Sequence, residues 1–266
     1  SCVVSRWKLE PGWADLPMPR FKLTLEYDGT PFVGWQRQET GLSVQQVLEE
    51  AAARLDERRV TAAAAGRTDT GVHALGMVAH IDLEKDLLAD KVRDALNFHL
   101  RPNPVAVLAA QTVDPDFHAR FSCFRRHYLY RLVTRRAPLA LAANRLWRVG
   151  HELDVAAMQE AADLLTGKHD FTTFRSVQCQ AKSPVKTMEA VEVTRADGEV
   201  HVRCRAPSFL HNQVRSIVGT LERVGAGRMS LAAFRSAFEA CDRAACGPVA
   251  PAAGLYFVQA DYPEAD

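Results

Sequence analysis

One polar segment restricts the fold of this chain more than any other, the run Gly66–His73 with the sequence GRTDTGVH. Glycine, threonine, aspartate and arginine bury poorly, so this run predicts a turn outside the hydrophobic core. Because an opposite charge favours the ionised form of a carboxylate, Arg67 would keep Asp69 ionised and available as a nucleophile. The alternative is a plain surface turn in which Asp69 bonds its own backbone, and an isolated Thr-Asp-Thr-Gly favours that alternative.

The bulk composition narrows the class of protein. With 266 residues, 47% apolar and 24% charged, the chain predicts a soluble globular protein of one large domain or two modest ones. No apolar run reaches membrane-spanning length. The six cysteines show neither a C-x-x-C pair nor histidines at zinc spacing. We therefore expect free thiols in a reducing cytoplasm, with no metal site and no membrane.

Positive charge is concentrated in one stretch although the net charge is +1. From Phe117 to His151 there are eight arginines and neither Asp nor Glu. A solvated basic face is one interpretation. The other is RNA binding through phosphate contacts and stacking, because arginine suits phosphate and aromatic residues suit bases. The interleaved aromatic residues favour RNA, and they are Phe117, Phe121, Phe124, Tyr128, Tyr130 and Trp147.

The pattern of apolar residues predicts mixed strands and helices. Alternation over Phe21–Asp28 indicates a half-buried strand, and Asp197-Gly198 lies between two alternating runs as in a β-hairpin. The other predicted elements are a helix capped by Ser43, a strand over Val72–Ile81, a helix over Leu87–Leu96, a strand over His127–Thr134, a helix capped by Asp154 and closed by Gly167, a helix over Phe209–Val224 and a helix capped by Ser230. This mixture predicts an α+β fold with antiparallel sheet. We expect residues 1–17 to be a disordered tail or residues left from the expression vector. The folded chain that follows is predicted to have two halves, 18–116 and 117–266.

Three polar residues stand out as candidates for chemistry. They are Asp69, Arg215 beside the apolar stripe of its helix, and Tyr128 on a strand of the arginine-rich stretch. The alternative for Arg215 is an ion pair that only stabilises the fold. The alternative for Tyr128 is a plain core position. The Asp-Thr-Gly sequence also occurs in aspartic proteases, but those need two carboxylates that share a proton. Here there is one copy, and Arg67 would oppose a shared proton.

Several segments together resemble a known family. The run Ala65–Ala74 resembles the catalytic motif of the TruA-type tRNA pseudouridine synthases. The other matching segments, in the order in which that family has them, are Glu26–Thr30, Gly34–Gln38, Ser43–Gln45, Phe117–Phe121, Arg126–Tyr130, Phe209–Arg215 and Pro251–Leu255. The departures are small: Thr70 often corresponds to alanine in the family, and His127 to a more basic residue.

The resemblance implies a function and a fold. Members convert uridines 38–40 of the tRNA anticodon stem-loop to pseudouridine, without cofactor or metal. Their fold is two ferredoxin-like halves whose mainly antiparallel sheets face a central catalytic cleft, and they act as homodimers on tRNA.

The resemblance also implies roles for individual residues. Asp69 would be the nucleophile, attacking either the ribose or the base, and Tyr128 would stack on the extruded base. Arg215 would pair with Asp69, Arg67 would contact the adjacent phosphate, and His211 would contact substrate. The remaining alternatives are a non-catalytic RNA-binding module and a carboxylate-based hydrolase. A binding module would have no need for Asp69 and Arg215 together.

Overall fold

The computed structural model describes residues 18–56 and 58–264, so the tail predicted over residues 1–17 lies outside the described residues. Its strands are β1 (Arg20–Tyr27), β2 (Ala63–Ala64), β3 (His73–Asp82), β4 (Val105–Val113), β5 (Arg125–Thr134), β6 (Trp147–Val149), β7 (Gly167–Asp170), β8 (Val185–Met188), β9 (Ala190–Ala196), β10 (Glu199–Ala206) and β11 (Leu255–Asp261). Its helices are α1 (Val44–Asp56), α2 (Ala89–Leu100), α3 (Val155–Asp163), α4 (Gln213–Gly225) and α5 (Leu231–Glu239). None of the helices in the described ranges is both long and apolar enough to cross a lipid bilayer.

The first half is a ferredoxin-like unit. Its chain order is β1-α1-β2-β3-α2-β4, the β-α-β-β-α-β succession of that fold. In space the strands lie in the order β4-β1-β3-β2, and every neighbouring pair is antiparallel. Each helix therefore crosses the same face of the sheet and buries its apolar stripe there.

The second half repeats this arrangement. Its chain order is β5-α3-β9-β10-α4-β11, with β6, β7, β8 and α5 inserted as additions. In space the strands lie in the order β11-β5-β10-β9, again antiparallel throughout. The expected α+β class, with two ferredoxin-like halves and a mainly antiparallel sheet, is confirmed.

The two halves are joined through one parallel pairing. Strand β11 lies beside β3, with Tyr256 opposite His73 and Phe257 opposite Ala74. The halves consequently share a nine-stranded sheet, where the resemblance implied two sheets facing a cleft. The Gly66–His73 segment leads into β3 and lies at this junction.

The hydrophobic core also crosses the junction. One cluster packs α1 and α2 against the first half of the sheet, and a second packs α3, α4 and α5 against the other half. Phe257 of β11 is fully buried in the first cluster, while Val72 from the polar segment is buried in the second. Burying one such side chain stabilises the fold by about 1.5–3 kcal/mol, so both clusters hold the junction closed.

Two helix ends differ from the sequence-based expectation. The predicted helix Phe209–Val224 begins at Gln213, because Asn212 adopts a left-handed conformation with φ of 60° that a helix cannot contain. His211 therefore lies in the turn before α4. The helix capped by Asp154 ends at Asp163, ahead of Gly167, which has φ of +111° and begins β7 instead.

Helix α4 approaches the segment before β11 very closely. A Cβ atom added at Gly219 would lie 1.7 Å from the carbonyl oxygen of Pro248. The same segment is tied to α4 by a hydrogen bond of 3.0 Å from the Ala250 amide to the Arg215 carbonyl. Glycine at position 219 thus permits the contact through which α4 places the chain that enters β11.

Replacing Gly219 with alanine should lower the free energy of unfolding by about 1–3 kcal/mol, because the backbone must move to admit one methyl group. The loss should appear even though alanine favours a helix over glycine by about 1 kcal/mol. Urea unfolding would measure it. Gly150→Ala is the matched control, since its added Cβ would meet its nearest neighbour at 3.8 Å. Equal stability of the two variants would contradict the close approach.

Candidate active site at the junction of the two halves

The segment that carries Asp69 is fixed by hydrogen bonds on both sides. Buried Thr68 shares a hydrogen bond of 2.8 Å with the Tyr27 hydroxyl, and its carbonyl accepts one of 2.9 Å from the Trp35 amide. Gly34 has φ of +110°, and a Cβ there would lie 2.6 Å from the Thr68 carbonyl oxygen. The close backbone approach at Gly34 therefore presents Asp69 in a fixed pose.

His73 anchors the end of the same segment. Its Nδ1 accepts a hydrogen bond of 3.0 Å from the Gly29 amide, and its Nε2 donates one of 2.8 Å to the Asn144 carbonyl. Burial lowers the pKa of His73, which keeps the ring neutral as this bonding pattern requires. Asp28 lies beside Nδ1 and is held by the Arg145 guanidinium at 2.7 Å. Residues of the second half, Asn144 and Arg145, thus help to hold the first.

The structure places the His211 side chain against the Asp69 carboxylate. The distance from His211 Nε2 to Asp69 Oδ1 is 3.0 Å, and each side chain is about one-third exposed, at 34% and 31%. The backbone of His211 is tied to the preceding loop, because its carbonyl accepts from the Ser176 amide and its amide donates to Cys179 Sγ. The carboxylate of the first half is therefore held by a side chain of the second half and still reaches solvent.

The predicted ion pair between Arg215 and Asp69 is wrong for the part of the chain that the structure describes. Arg215 Nε donates to the Ala250 carbonyl at 2.7 Å, and Nη1 donates to Asn212 Oδ1 at 3.0 Å. The guanidinium is drawn toward the Pro248–Ala250 segment and the turn before α4. Arg215 consequently braces the residue that follows His211.

Tyr128 lies close to the Asp69 segment. Its ring makes edge contacts with Phe209 at 4.9 Å and Phe257 at 5.2 Å between centroids. A Cβ added at Gly66 would lie 3.8 Å from the Tyr128 hydroxyl oxygen. Burial and, to a lesser degree, the charge of Asp69 raise the pKa of Tyr128, so the hydroxyl stays protonated at neutral pH. Tyr128 thus offers an aromatic surface and a neutral hydroxyl beside a carboxylate.

Arg67 is exposed, two residues before Asp69. Within the described residues its side chain makes no hydrogen bond or ion pair. The structure therefore brings Asp69, Tyr128 and His211 together, leaves Arg67 facing solvent at the edge, and places Arg215 behind the site.

Arg126 has a structural role that the sequence did not reveal. Its guanidinium donates five hydrogen bonds to four backbone carbonyls, those of Ala65 (3.1 and 2.9 Å), Arg120 (2.8 Å), Cys123 (3.1 Å) and Pro207 (2.6 Å). Ala65 directly precedes Gly66, whereas the other three acceptors belong to the second half. Arg126 therefore clamps the start of the Asp69 segment to the half that carries Tyr128.

The other seven arginines between Phe117 and His151 divide into two groups. Arg125, Arg131 and Arg145 pair with the carboxylates of Glu189, Glu199 and Asp28 at 2.6–2.8 Å. These side chains hold the fold, so the prediction of phosphate contacts does not extend to them. The remaining arginines are exposed and have no carboxylate partner among the described residues, and they are Arg120, Arg135, Arg136 and Arg148.

Sequence reasoning missed the two phenylalanines that flank Tyr128, Phe209 and Phe257. Phe209 could have been identified, because it lies in the same family-matching segment as His211. Phe257 could not, because it lies on β11, a strand that the sequence analysis did not predict. Across residues 18–56 and 58–264, no group of three or more His, Cys, Asp or Glu side chains is arranged to hold a metal ion.

Proteins of one family are similar to this chain over most of its length. A family model described as tRNA pseudouridine synthase matches residues 24–122 and 161–263. Three curated relatives named tRNA pseudouridine synthase A come from Maricaulis maris (59% identical, 92% of this chain and 99% of the relative), Afipia carboxidovorans (59%, 92% and 100%) and Rhodospirillum centenum (60%, 92% and 100%). A solved structure titled as a Cbf5-Nop10-Gar1 complex matches with a TM-score of 0.32 and 12% identity, over 76% of this chain and 45% of that one.

Replacing Arg126 with methionine should destabilise the fold by about 2–4 kcal/mol, because four carbonyls lose a charged donor. Amide exchange in the Gly66–Val72 segment should accelerate as well, since Ala65, the residue before it, is released from the second half. Urea unfolding and hydrogen exchange measure the two effects. Arg136→Met, at an exposed arginine, is the matched control and should change stability by less than about 0.5 kcal/mol. Unchanged exchange in the segment would rule out the clamp.

Proposed function

The chain belongs to the tRNA pseudouridine synthase family, and from that premise we propose that it converts uridine to pseudouridine at positions 38–40 of the anticodon stem-loop of tRNA. It is an isomerase of tRNA uridine, as the family is. The observation that carries the finer proposal is the Asp69 carboxylate, one-third exposed beside the Tyr128 ring where the two halves meet.

Asp69 is the nucleophile in this proposal. The reaction replaces the N–C glycosidic bond with a C–C bond inside one nucleotide, so atoms and electrons balance without a cofactor. Asp69 attacks either the ribose or the base, and the uracil then rotates and rejoins the ribose through C5. The fixed backbone around Gly34 and Thr68 supports this role, because a nucleophile that is already aimed loses little entropy on reaching the reacting atom.

Tyr128 forms the wall against which the uracil turns. Its edge contacts with Phe209 and Phe257 hold the ring in place, which leaves a rigid surface for stacking. The raised pKa of Tyr128 keeps the phenol neutral, so the tyrosine stacks and donates a hydrogen bond and does not act as a phenolate base. Once C5 has bonded to the ribose carbon and the bond to Asp69 has broken, the free Asp69 carboxylate accepts the C5 proton.

His211 and Arg215 orient the carboxylate. His211 donates to Asp69 Oδ1, and Arg215 fixes the turn that contains His211 through its bond to Asn212. His211 is also placed to contact substrate, because its side chain is partly exposed beside the carboxylate. Arg215 therefore acts on Asp69 through this turn.

Exposed arginines would help to bind the RNA substrate. Extruding a uridine from a stacked stem costs a few kcal/mol, which contacts to phosphate help to offset. Arg67 is exposed next to Asp69 and would contact the phosphate beside the extruded nucleotide. The exposed arginines Arg135, Arg136 and Arg148 extend the basic surface. Action as a homodimer in the cytoplasm completes the proposal and rests on the family.

Asp69→Asn should abolish pseudouridine formation while tRNA affinity changes by less than about threefold, because the amide keeps the shape of the carboxylate but is a poor nucleophile. Carbodiimide labelling and primer extension on an unmodified tRNA transcript measure the product, and filter binding measures affinity. Asp86→Asn, at an exposed position, is the control and should retain activity.

Retained activity in Asp69→Asn would refute the nucleophile. Tight tRNA binding by the wild-type chain with no product in any tRNA would instead favour a non-catalytic RNA-binding module.

A further inference from the structure

The loop of residues 118–124, between β4 and β5, is braced from within. His118 Nδ1 accepts hydrogen bonds from the amides of Arg120 at 3.1 Å and Phe121 at 3.3 Å. The His118 amide donates to Ser122 Oγ at 2.9 Å, and the Ser122 amide donates to the His118 carbonyl at 2.9 Å. Burial, together with the nearby charges of Arg20 and Arg120, lowers the pKa of His118, which preserves its Nδ1 as an acceptor.

The same loop is anchored to the body of the protein. The Ala119 amide donates to His80 Nδ1 at 3.1 Å, and the Tyr262 hydroxyl donates to the Ala119 carbonyl at 2.6 Å. Burial lowers the pKa of His80 to about 4, so this ring is neutral near pH 7 and remains an acceptor. Ala119 itself is fully buried, which leaves the loop little freedom.

This rigid loop nevertheless holds a phenylalanine in solvent. Phe121 is 75% exposed, and the guanidinium carbon of Arg120 lies 5.6 Å from the centre of its ring. The centroid of the His118 ring lies 4.3 Å from the centroid of the Phe121 ring. An exposed aromatic ring adds little to folding stability, and the hydrogen bonds within the loop fix this ring in solvent.

The position of the loop connects it with the candidate active site. One nitrogen of Arg126, Nη2, donates both to the Arg120 carbonyl at 2.8 Å and to the Ala65 carbonyl at 2.9 Å. The loop that carries Phe121 is therefore joined to the start of the Asp69 segment by two hydrogen bonds from a single atom. Phe121 therefore belongs to a loop that is bound to the segment where the proposed function places the RNA.

The charge beside the ring suits a nucleic acid. Arg120 is exposed, and it has no carboxylate partner among the residues that the structure describes. A planar aromatic ring beside a guanidinium that has no carboxylate partner among the described residues matches the two parts of a nucleotide, the base and the phosphate.

We propose that Phe121 and Arg120 form a stacking platform for one unpaired base of the RNA substrate near the target uridine, with Arg120 on the phosphate of that nucleotide. The proposal rests on the proposed function, since it requires an RNA substrate at this site. It assigns Phe121 a part in substrate binding and none in the bond rearrangement.

Stem-loop RNAs that carry 2-aminopurine at successive loop positions test the platform, because stacking on an aromatic ring quenches this fluorescent base. The wild-type chain should quench one position strongly. Phe121→Ala should remove that quenching and raise Kd by roughly 5- to 150-fold, the range for loss of one base–aromatic stack. Phe121→Tyr should retain both properties, since the ring is kept. At saturating RNA the rate of pseudouridine formation in Phe121→Ala should stay within about twofold of the wild type.

Two further variants sharpen the test. Phe98→Ala removes a phenylalanine that is 69% exposed on α2, and it should leave Kd and quenching unchanged. Arg120→Gln should weaken binding and reduce the slope of log K against log salt by about one unit, as expected for loss of one phosphate contact.

Three results would overturn the platform. The first is wild-type affinity in Phe121→Ala, and the second is equal weakening in Phe98→Ala. The third is a change of oligomeric state in Phe121→Ala by sedimentation, which would assign the ring to contact between copies of this chain. Quenching lost in Phe121→Ala, with no product from any variant or from the wild type, would keep the platform and refute the proposed function.

Discussion

The parallel pairing of β3 with β11 is the constraint on which the candidate active site depends. Each ferredoxin-like half could close its sheet without the other, but neither contains both Asp69 and Tyr128. The pairing sets Tyr256 against His73 and Phe257 against Ala74, directly after the Asp69 segment. It thereby places a carboxylate of the first half beside an aromatic ring and a histidine of the second. Phe257 contributes to both the core and the site, because it fills the core of the first half and supports the Tyr128 ring.

The site is held mainly by bonds to the backbone. Arg126 binds four carbonyls, and the neutral ring of His73 accepts from the Gly29 amide. Such bonds fix the segment without adding a charge near Asp69 other than that of Arg126. The carboxylate itself keeps one close partner, His211, and an opening to solvent. A nucleophile in that setting is aimed yet accessible, which is what an attack on an extruded nucleotide requires.

Local chemistry was predictable from the sequence, and long-range pairing was not. Ser43, Asp154 and Ser230 cap helices through their side chains as expected, and Asp197-Gly198 turns the hairpin with both residues at positive φ. Strand β11 was missed because no residue near it signals a partner that is about 180 positions away. Arg215 was misread and the role of Arg126 was not foreseen for the same reason, since carbonyls that they bind come from distant segments. The Asp69 segment itself was identifiable because glycine, threonine, aspartate and arginine are poorly suited to a hydrophobic core.

The most direct test of a shared active site is a crystal structure of Asp69→Asn bound to an unmodified anticodon stem-loop RNA. We expect a uridine extruded from the stem, with its base against the Tyr128 ring. Either its ribose or its base should lie about 3–3.5 Å from the side chain at position 69, the separation of a near-attack arrangement. A uridine that stays stacked in the stem, or one bound away from the junction of β3 and β11, would contradict a shared active site built by both halves.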